Sequence, residues 1–198
     1  ADTLQQVIAS WTVSSQQHTH LATAANVYTL ALLYTDRHHE ALKAAASFHE
    51  KGLLDEEGGY NYGVAALRRG DFHAGYQVLS QAAESIETPS FDFSYLAAIS
   101  AFNLGKWQAA EFFFKKSLNQ DGNPSEKIDP AKKAFFQSYY LGLAQFRLGK
   151  LESAYSTLEP LCQLNTRRGL DEAFFCIERQ QALSIALHCA LQLYSKTQ

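Results

Sequence analysis

Residues 95–121 read YLAAISAFNLGKWQAAEFFFKKSLNQD. An apolar pattern at helical spacing runs to Phe102, breaks at Leu104-Gly105-Lys106 and resumes at Trp107. Glycine at such a break supplies the left-handed backbone that other residues enter only at a cost, so the stretch predicts two helices joined by a tight turn. Nearly the same phrase occurs twice more. Tyr62-Gly63 leads to Arg69-Gly70-Asp71-Phe72, and Leu141-Gly142 leads to Leu148-Gly149-Lys150-Leu151. A degenerate copy, with Thr29 leading to Asp36-Arg37-His38, precedes them. The turn residues Asp36, Gly70, Gly105 and Gly149 are separated by 34, 35 and 44 residues.

Working outward, further breaks fall at Gly52, Thr88-Pro89-Ser90, residues 122–129 and Arg167-Arg168-Gly169. Thr88-Pro89 and Asp129-Pro130 each place an N-cap residue before a proline at the first helical position. The chain is therefore expected to be a series of helical hairpins. Segment 122–129 accounts for the longest spacing, as a tolerated insertion or as a loop that contacts a partner, and residues 129–148 form an extended helix after it. Residues 2–17 carry Leu4, Val7, Ile8 and Trp11 on one stripe, a leading amphipathic helix that caps the first hairpin or faces a partner. Residues 171–196 contain no Gly or Pro and repeat Phe174, Phe175, Ile177, Leu183, Leu187, Ala190, Leu191 and Tyr194 at helical spacing. They predict one long helix or a slightly bent pair. Its beginning would open a fifth, incomplete unit, and its end would close the array or overhang it and dimerise.

A period near 34 with two helices per unit resembles the tetratricopeptide repeat, from about residue 22 to residue 168. That family has a small residue midway along its first helix, a turn glycine, an aromatic just after it, a small residue three positions on and a large apolar residue four beyond that. The third unit has Ala98, Gly105, Trp107, Ala110 and Phe114, then Ser117; the second has Gly63, Gly70, Phe72, Gly75 and Leu79, then Ala82. The fourth has Gly142, Gly149, Leu151, Ala154 and Leu158, then a large Leu161, and the first has Thr29, Asp36, His38, Ala41 and Ala45, then Phe48. The resemblance implies an all-α chain: a right-handed α-solenoid of about four hairpins with an N-terminal helix and a long C-terminal capping helix. As one domain over 1–198 it would comprise a leading helix at 1–20, repeats at 22–55, 56–89, 91–124 and 135–168, and a C-terminal helix at 170–198. A single hairpin cannot bury its apolar face, so small residues at the close approaches and large ones between units are what stacking demands.

Composition narrows the function. A net charge of -3, a pI near 6.2 and the lack of any basic run argue against nucleic acid, whose binding needs dense Lys and Arg. No apolar run is long enough to span a membrane. The three cysteines, Cys162, Cys176 and Cys189, lie in apolar helical contexts, which favours free buried thiols in a reducing, cytoplasmic compartment. One pair plus a leftover thiol, in a mature secreted or periplasmic form, is the alternative. No Met occurs, so the initiator has been removed or the chain is a fragment or a mature form. Candidate chemistry is thin. His18 with His20, and His38 with His39, lack a Cys or carboxylate at metal-ligand spacing, and adjacent His188 and Cys189 point about 100° apart on a helix. There is no GxSxG phrase and no phosphate loop, and Asp55-Glu56-Glu57 reads as a helix start opposing its dipole. No catalytic residue, metal or cofactor is expected.

The resemblance also places the binding surface. In such hairpins the first helices line a concave face, and their positions outside the core are Asn26, Leu30, Leu33 and Tyr34; Tyr60, Asn61, Val64, Leu67 and Arg68; Tyr95, Ile99, Phe102 and Asn103; and Tyr139, Leu143, Phe146 and Arg147. The residues expected to contact a protein segment are Asn26, Tyr34, Tyr60, Asn61, Arg68, Tyr95, Ile99, Phe102, Tyr139, Phe146 and Arg147. Aromatics with a polar tip, interleaved with Asn and Arg, suit a peptide or helix held by apolar pockets and a few hydrogen bonds. Family members that clamp a C-terminal carboxylate need Lys and Asn on the first unit's first helix and Lys and Arg on the third's; here Asn61 matches one expected Asn, Asn26 sits where the clamp Lys would be, and Leu30, Asp92 and Leu96 occupy the other positions. Asp92 would repel a carboxylate. The aromatic groove is closer in character to secretion chaperones. The expected function is a protein-interaction module, an adaptor or chaperone-like protein, and the alternative is a scaffold subunit that assembles, with itself or with a larger complex, through its terminal helices.

Overall fold

The computed structural model describes residues 15–87, 92–119, 130–163 and 172–196. All regular structure among them is helical: α1 (Ser15–Tyr34), α2 (His38–Glu50), α3 (Glu56–Arg69), α4 (Phe72–Ser85), α5 (Phe93–Asn103), α6 (Trp107–Leu118), α7 (Pro130–Arg147), α8 (Leu151–Gln163) and α9 (Glu172–Lys196). The stripe Leu4, Val7, Ile8 and Trp11, the Thr88-Pro89 cap, the 122–129 segment and the break at Arg167-Arg168-Gly169 lie outside the described residues. α1 is helical from Ser15 to Tyr34 with no break at residues 20–21, since nothing in Gln16 to Leu21 interrupts a helix.

The four turns inside the hairpins share one closure. Asp36, Gly70, Gly105 and Gly149 have φ of 56°, 73°, 70° and 72°. The following N–H groups of Arg37, Asp71, Lys106 and Lys150 each donate to the carbonyls of Leu32, Ala66, Ala101 and Gln145, all at 2.9 Å. This is the Schellman arrangement, which satisfies carbonyls that a helix end leaves orphaned. Asp36 is the only non-glycine in a left-handed conformation among the described residues. The starts of α3 and α4 are capped by Asp55 and Asp71, whose carboxylates accept from the N–H groups of Gly58 at 2.8 Å and Ala74 at 3.1 Å. Asp92 likewise accepts from Tyr95 N–H at 2.8 Å ahead of α5.

The chain divides into two compact units, Ala1–Ser100 and Ala101–Gln198, with the boundary inside α5. In the first unit, α3 packs on both α2 and α1. Leu21, Ala25, Leu32, Leu33, Ala41, Ala44, Phe48, Leu53 and Ala65 form its main buried cluster. In the second unit, α7 packs on α6 and α8, and α9 packs on α8 and α7. Phe135, Tyr139, Leu158, Leu161, Ala182 and Ala186 are buried together there.

Among the described residues, each unit has a helical glycine whose added β-carbon would overlap the paired helix. A β-carbon on Gly63 would lie 2.3 Å from Leu79 Cδ2, and one on Gly142 would lie 2.4 Å from Leu158 Cγ. Both glycines sit midway along a first helix, and both leucines are fully buried in the paired second helix. In the first hairpin the equivalent positions hold Thr29 and Ala45, both at 0% exposure, so the larger residue has moved to the first helix. Gly59, one turn before Gly63 in α3, has open space around its β-position. Gly63→Ala is therefore expected to destabilise the chain by about 1–3 kcal/mol through overpacking. Gly59→Ala should stabilise it by about 0.5–1 kcal/mol through helix propensity. Thermal and urea unfolding of the two variants measure both signs; equal effects would contradict the close approach.

Candidate functional site

In the first unit the expected contact residues separate into a buried pair and an open set. Asn26 and Asn61 are buried, at 5% and 7% exposure, and Asn61 Nδ2 donates to Asn26 Oδ1 at 2.7 Å. This bond joins α1 to α3, one first helix to the next. Leaving either amide buried and unpaired would cost about 1–3 kcal/mol, so the pair holds the register of the two helices. Tyr34 is 70% exposed at the end of α1, and Arg68 is exposed at the end of α3. Tyr60 is half-buried, edge-on to Phe93 with ring centres 5.8 Å apart, and Tyr95 and Ile99 are half-buried on α5.

In the second unit, α9 lies over part of the α7 face. Tyr139 is 3% exposed, its hydroxyl donates to Gln181 Oε1 of α9, and its ring stacks on Phe135. Phe146 meets His188 of α9 edge-on at 5.5 Å. The Tyr139–Gln181 bond repeats the logic of Asn61–Asn26, so α9 stands to α7 as α3 stands to α1, in the place of a first helix. Phe102 packs edge-on to Trp107 at 5.2 Å and to Tyr140 at 5.1 Å, and the exposed Arg147 guanidinium lies 5.9 Å from the Trp107 ring centre. Thus Tyr139 is committed to internal packing, while Phe102, Phe146 and Arg147 keep open area.

Two further surfaces stand out, the first without any sequence signal and the second at the terminal helix that the sequence offers for capping or assembly. One is a cleft of about 280 Å³ in the first unit, lined by residues of the 49–59 and 78–86 segments and by Phe93, including Leu54, Asp55, Glu56, Val78 and Ala82. No local pattern marks it, because it forms where helix ends distant in sequence meet. The other is the outer face of α9, where Leu183, Leu187, Leu191 and Tyr194 are 56%, 59%, 62% and 65% exposed. Among the described residues, no three His, Cys, Asp or Glu side chains converge as metal ligands would. No described helix is long and apolar enough to cross a membrane.

No family model matches the chain, and no curated protein matches it. Among solved structures, one titled "MamA MSR-1 C2" is similar in fold, with a TM-score of 0.56 over 89% of this chain and 98% of that one, at 15% identity. At that identity the likeness shows fold alone. With the repeated turn closure and hairpin packing, it shows a tetratricopeptide-like arrangement of helical hairpins.

The shifted titrations have structural causes. Burial pushes the Tyr62, Tyr139 and Tyr140 hydroxyls and the Cys162 and Cys189 thiols up, so all stay protonated near neutral pH. Glu111 on α6 is the buried charge of the second unit, with a side chain only 7% exposed. It accepts from Lys115 Nζ at 2.8 Å and from Lys150 Nζ at 2.6 Å, which ties α6 to the turn before α8. Burial raises its carboxyl, but the two ammonium groups outweigh burial and hold it below its ordinary value of 4.5. A depressed folded-state value contributes stability above the unfolded value and loses it as pH falls through the folded one. At pH 7, Glu111→Gln is expected to cost on the order of 1–2 kcal/mol, discounted because both lysines are half-exposed. The difference from wild type should shrink as pH drops below 4.5. Melting temperatures of both chains from pH 7 down to about pH 3 test this, and a pH-independent difference would contradict it.

Proposed function

We propose that this chain is a protein-interaction module that holds a partner segment against the open positions of its first helices, in the manner of an adaptor or chaperone. One observation carries the reading. After the hairpins have packed, Tyr34, Tyr60 and Tyr95 still present area to solvent in the first unit, and Phe102, Phe146 and Arg147 do so in the second. Aromatic rings supply large contact area at small entropic cost, and their hydroxyl or cationic neighbours fix orientation. The tetratricopeptide-like fold supports the class, since that architecture serves as an interaction scaffold. Asn26, Asn61 and Tyr139 enter this reading as groups that hold the helices in register, and the partner is contacted by their more exposed neighbours. No step of chemistry is assigned to the chain. Tyr34→Ala combined with Tyr95→Ala is expected to abolish capture of partners by crosslinking and pull-down, with helicity and melting temperature near wild type. Unchanged capture by the folded variant would overturn the first-helix assignment.

The outer face of α9 favours a second reading, a scaffold subunit that self-associates through its terminal helix. Residues 180–195 contain no Asp, Glu, Lys or Arg, so the stripe Leu183, Leu187, Leu191 and Tyr194 has uncharged flanks. Charge depletion is what separates an interface core from a solvated face. Pairing two such faces brings no like charges together. Light scattering should show a mass that rises with concentration for the wild type and stays monomeric for Leu187→Glu. A wild-type mass that does not change with concentration would remove this reading.

A further inference from the structure

The cleft in the first unit has a chemistry of its own, independent of the first-helix faces. It opens where the C-terminal ends of α2 and α4 meet the N-terminal ends of α3 and α5, and its volume is about 280 Å³. Leu54, Val78, Ala82 and Phe93 make an apolar floor, with Val78 and Phe93 only 7% and 1% exposed. Asp55 and Glu56 stand at its edge.

Acidic groups outnumber basic ones around this floor, where Asp55 and Glu56 line the cleft beside His49. Segments 49–57 and 84–87 carry six carboxylates against one ammonium, that of Lys51. Residues 1–100 as a whole hold eleven Asp and Glu against five Lys and Arg. Two helices, α2 and α4, end at the cleft with their partially negative C-termini, while the positive ends of α3 and α5 are met by the carboxylates of Asp55 and Asp92. An anion would be repelled here, and a purely apolar group would leave the field unanswered. A long cationic side chain satisfies both parts, because its methylene stem covers apolar surface while its head stays with the carboxylates.

We propose that this cleft binds a lysine or arginine side chain of a partner peptide, with the stem over Val78 and Ala82 and the charged head toward Asp55 and Glu56. The neighbouring apolar residue of the same peptide rests on Leu54. This site is separate from Tyr34 and Tyr95, so each assignment can fail without the other.

The test is fluorescence anisotropy with a labelled peptide of alternating arginine and leucine, and a glutamate-for-arginine peptide as control. Two variants address the two halves of the site. Asp55→Asn with Glu56→Gln removes the charge while asparagine keeps the helix cap. Ala82→Phe fills the floor and leaves every charge in place. The arginine peptide is expected to bind, each variant to weaken it on the order of tenfold, and affinity to fall between about 0.05 M and about 0.3 M salt. The Tyr34→Ala, Tyr95→Ala chain should bind this peptide as the wild type does. Methyl NMR signals of Leu54 and Val78 should shift on titration. Absence of binding, equal binding of the glutamate peptide, or binding that neither variant weakens would overturn the proposal. If the double variant does not fold, Ala82→Phe and the methyl shifts decide it alone.

Discussion

The distance between Gly63 and Leu79 governs the architecture. A single added carbon would sit 2.3 Å from the leucine, and the same holds at 2.4 Å for Gly142 and Leu158. Two helices this close bury their facing surfaces, as Ala66, beside Gly75 and at 0% exposure, records. Close-packed interiors tolerate no such intrusion without moving a backbone or a rotamer. Because each hairpin is drawn tight internally, its remaining apolar faces turn outward along the chain, and only the next helix can cover them. That is why α3 rests on two helices of the preceding hairpin and α9 does the same.

Apolar packing alone would leave the offset between successive first helices loosely specified. Buried polar groups sharpen it. Asn61 donates to Asn26, and Tyr139 donates to Gln181, each from one first helix to the next. Thr157 Oγ1 donates to the buried Gln145 at 2.9 Å, and Glu111 gathers Lys115 and Lys150. A slip of one helix past its neighbour would strand these groups away from water, at a cost far above the net worth of the bonds themselves. Residues that look like ligand-binding groups on a helical projection therefore also have architectural work.

Three surfaces then differ in what they offer. The first-helix positions carry aromatics with polar tips, the α9 face is apolar and uncharged, and the cleft beside Asp55 is apolar beneath a negative rim. Their chemistries barely overlap, so a group that suits one of them is poorly matched to the others.

The hairpins and the turn residues were legible in the sequence because they depend on local constraints. A left-handed residue closes a helix within a few positions of itself, and apolar spacing of 3.6 residues declares a buried stripe without knowledge of its partner. The small residues Gly63 and Gly142 were legible for the same reason, through their fixed place in a repeated phrase. The fate of Asn26, Asn61 and Tyr139 was not legible. Whether an amide faces a ligand or another amide 35 positions away depends on how two helices cross, and the sequence of either helix is silent on that. The cleft at Asp55 follows the same rule, and for the α9 stripe the sequence left open whether it caps or stays exposed, since both are set by which helix ends meet and which face no neighbour covers. Local sequence determined the elements and their turns; tertiary packing decided which polar and aromatic side chains remained for a partner, because burial is a property of the assembled neighbours and not of the residue.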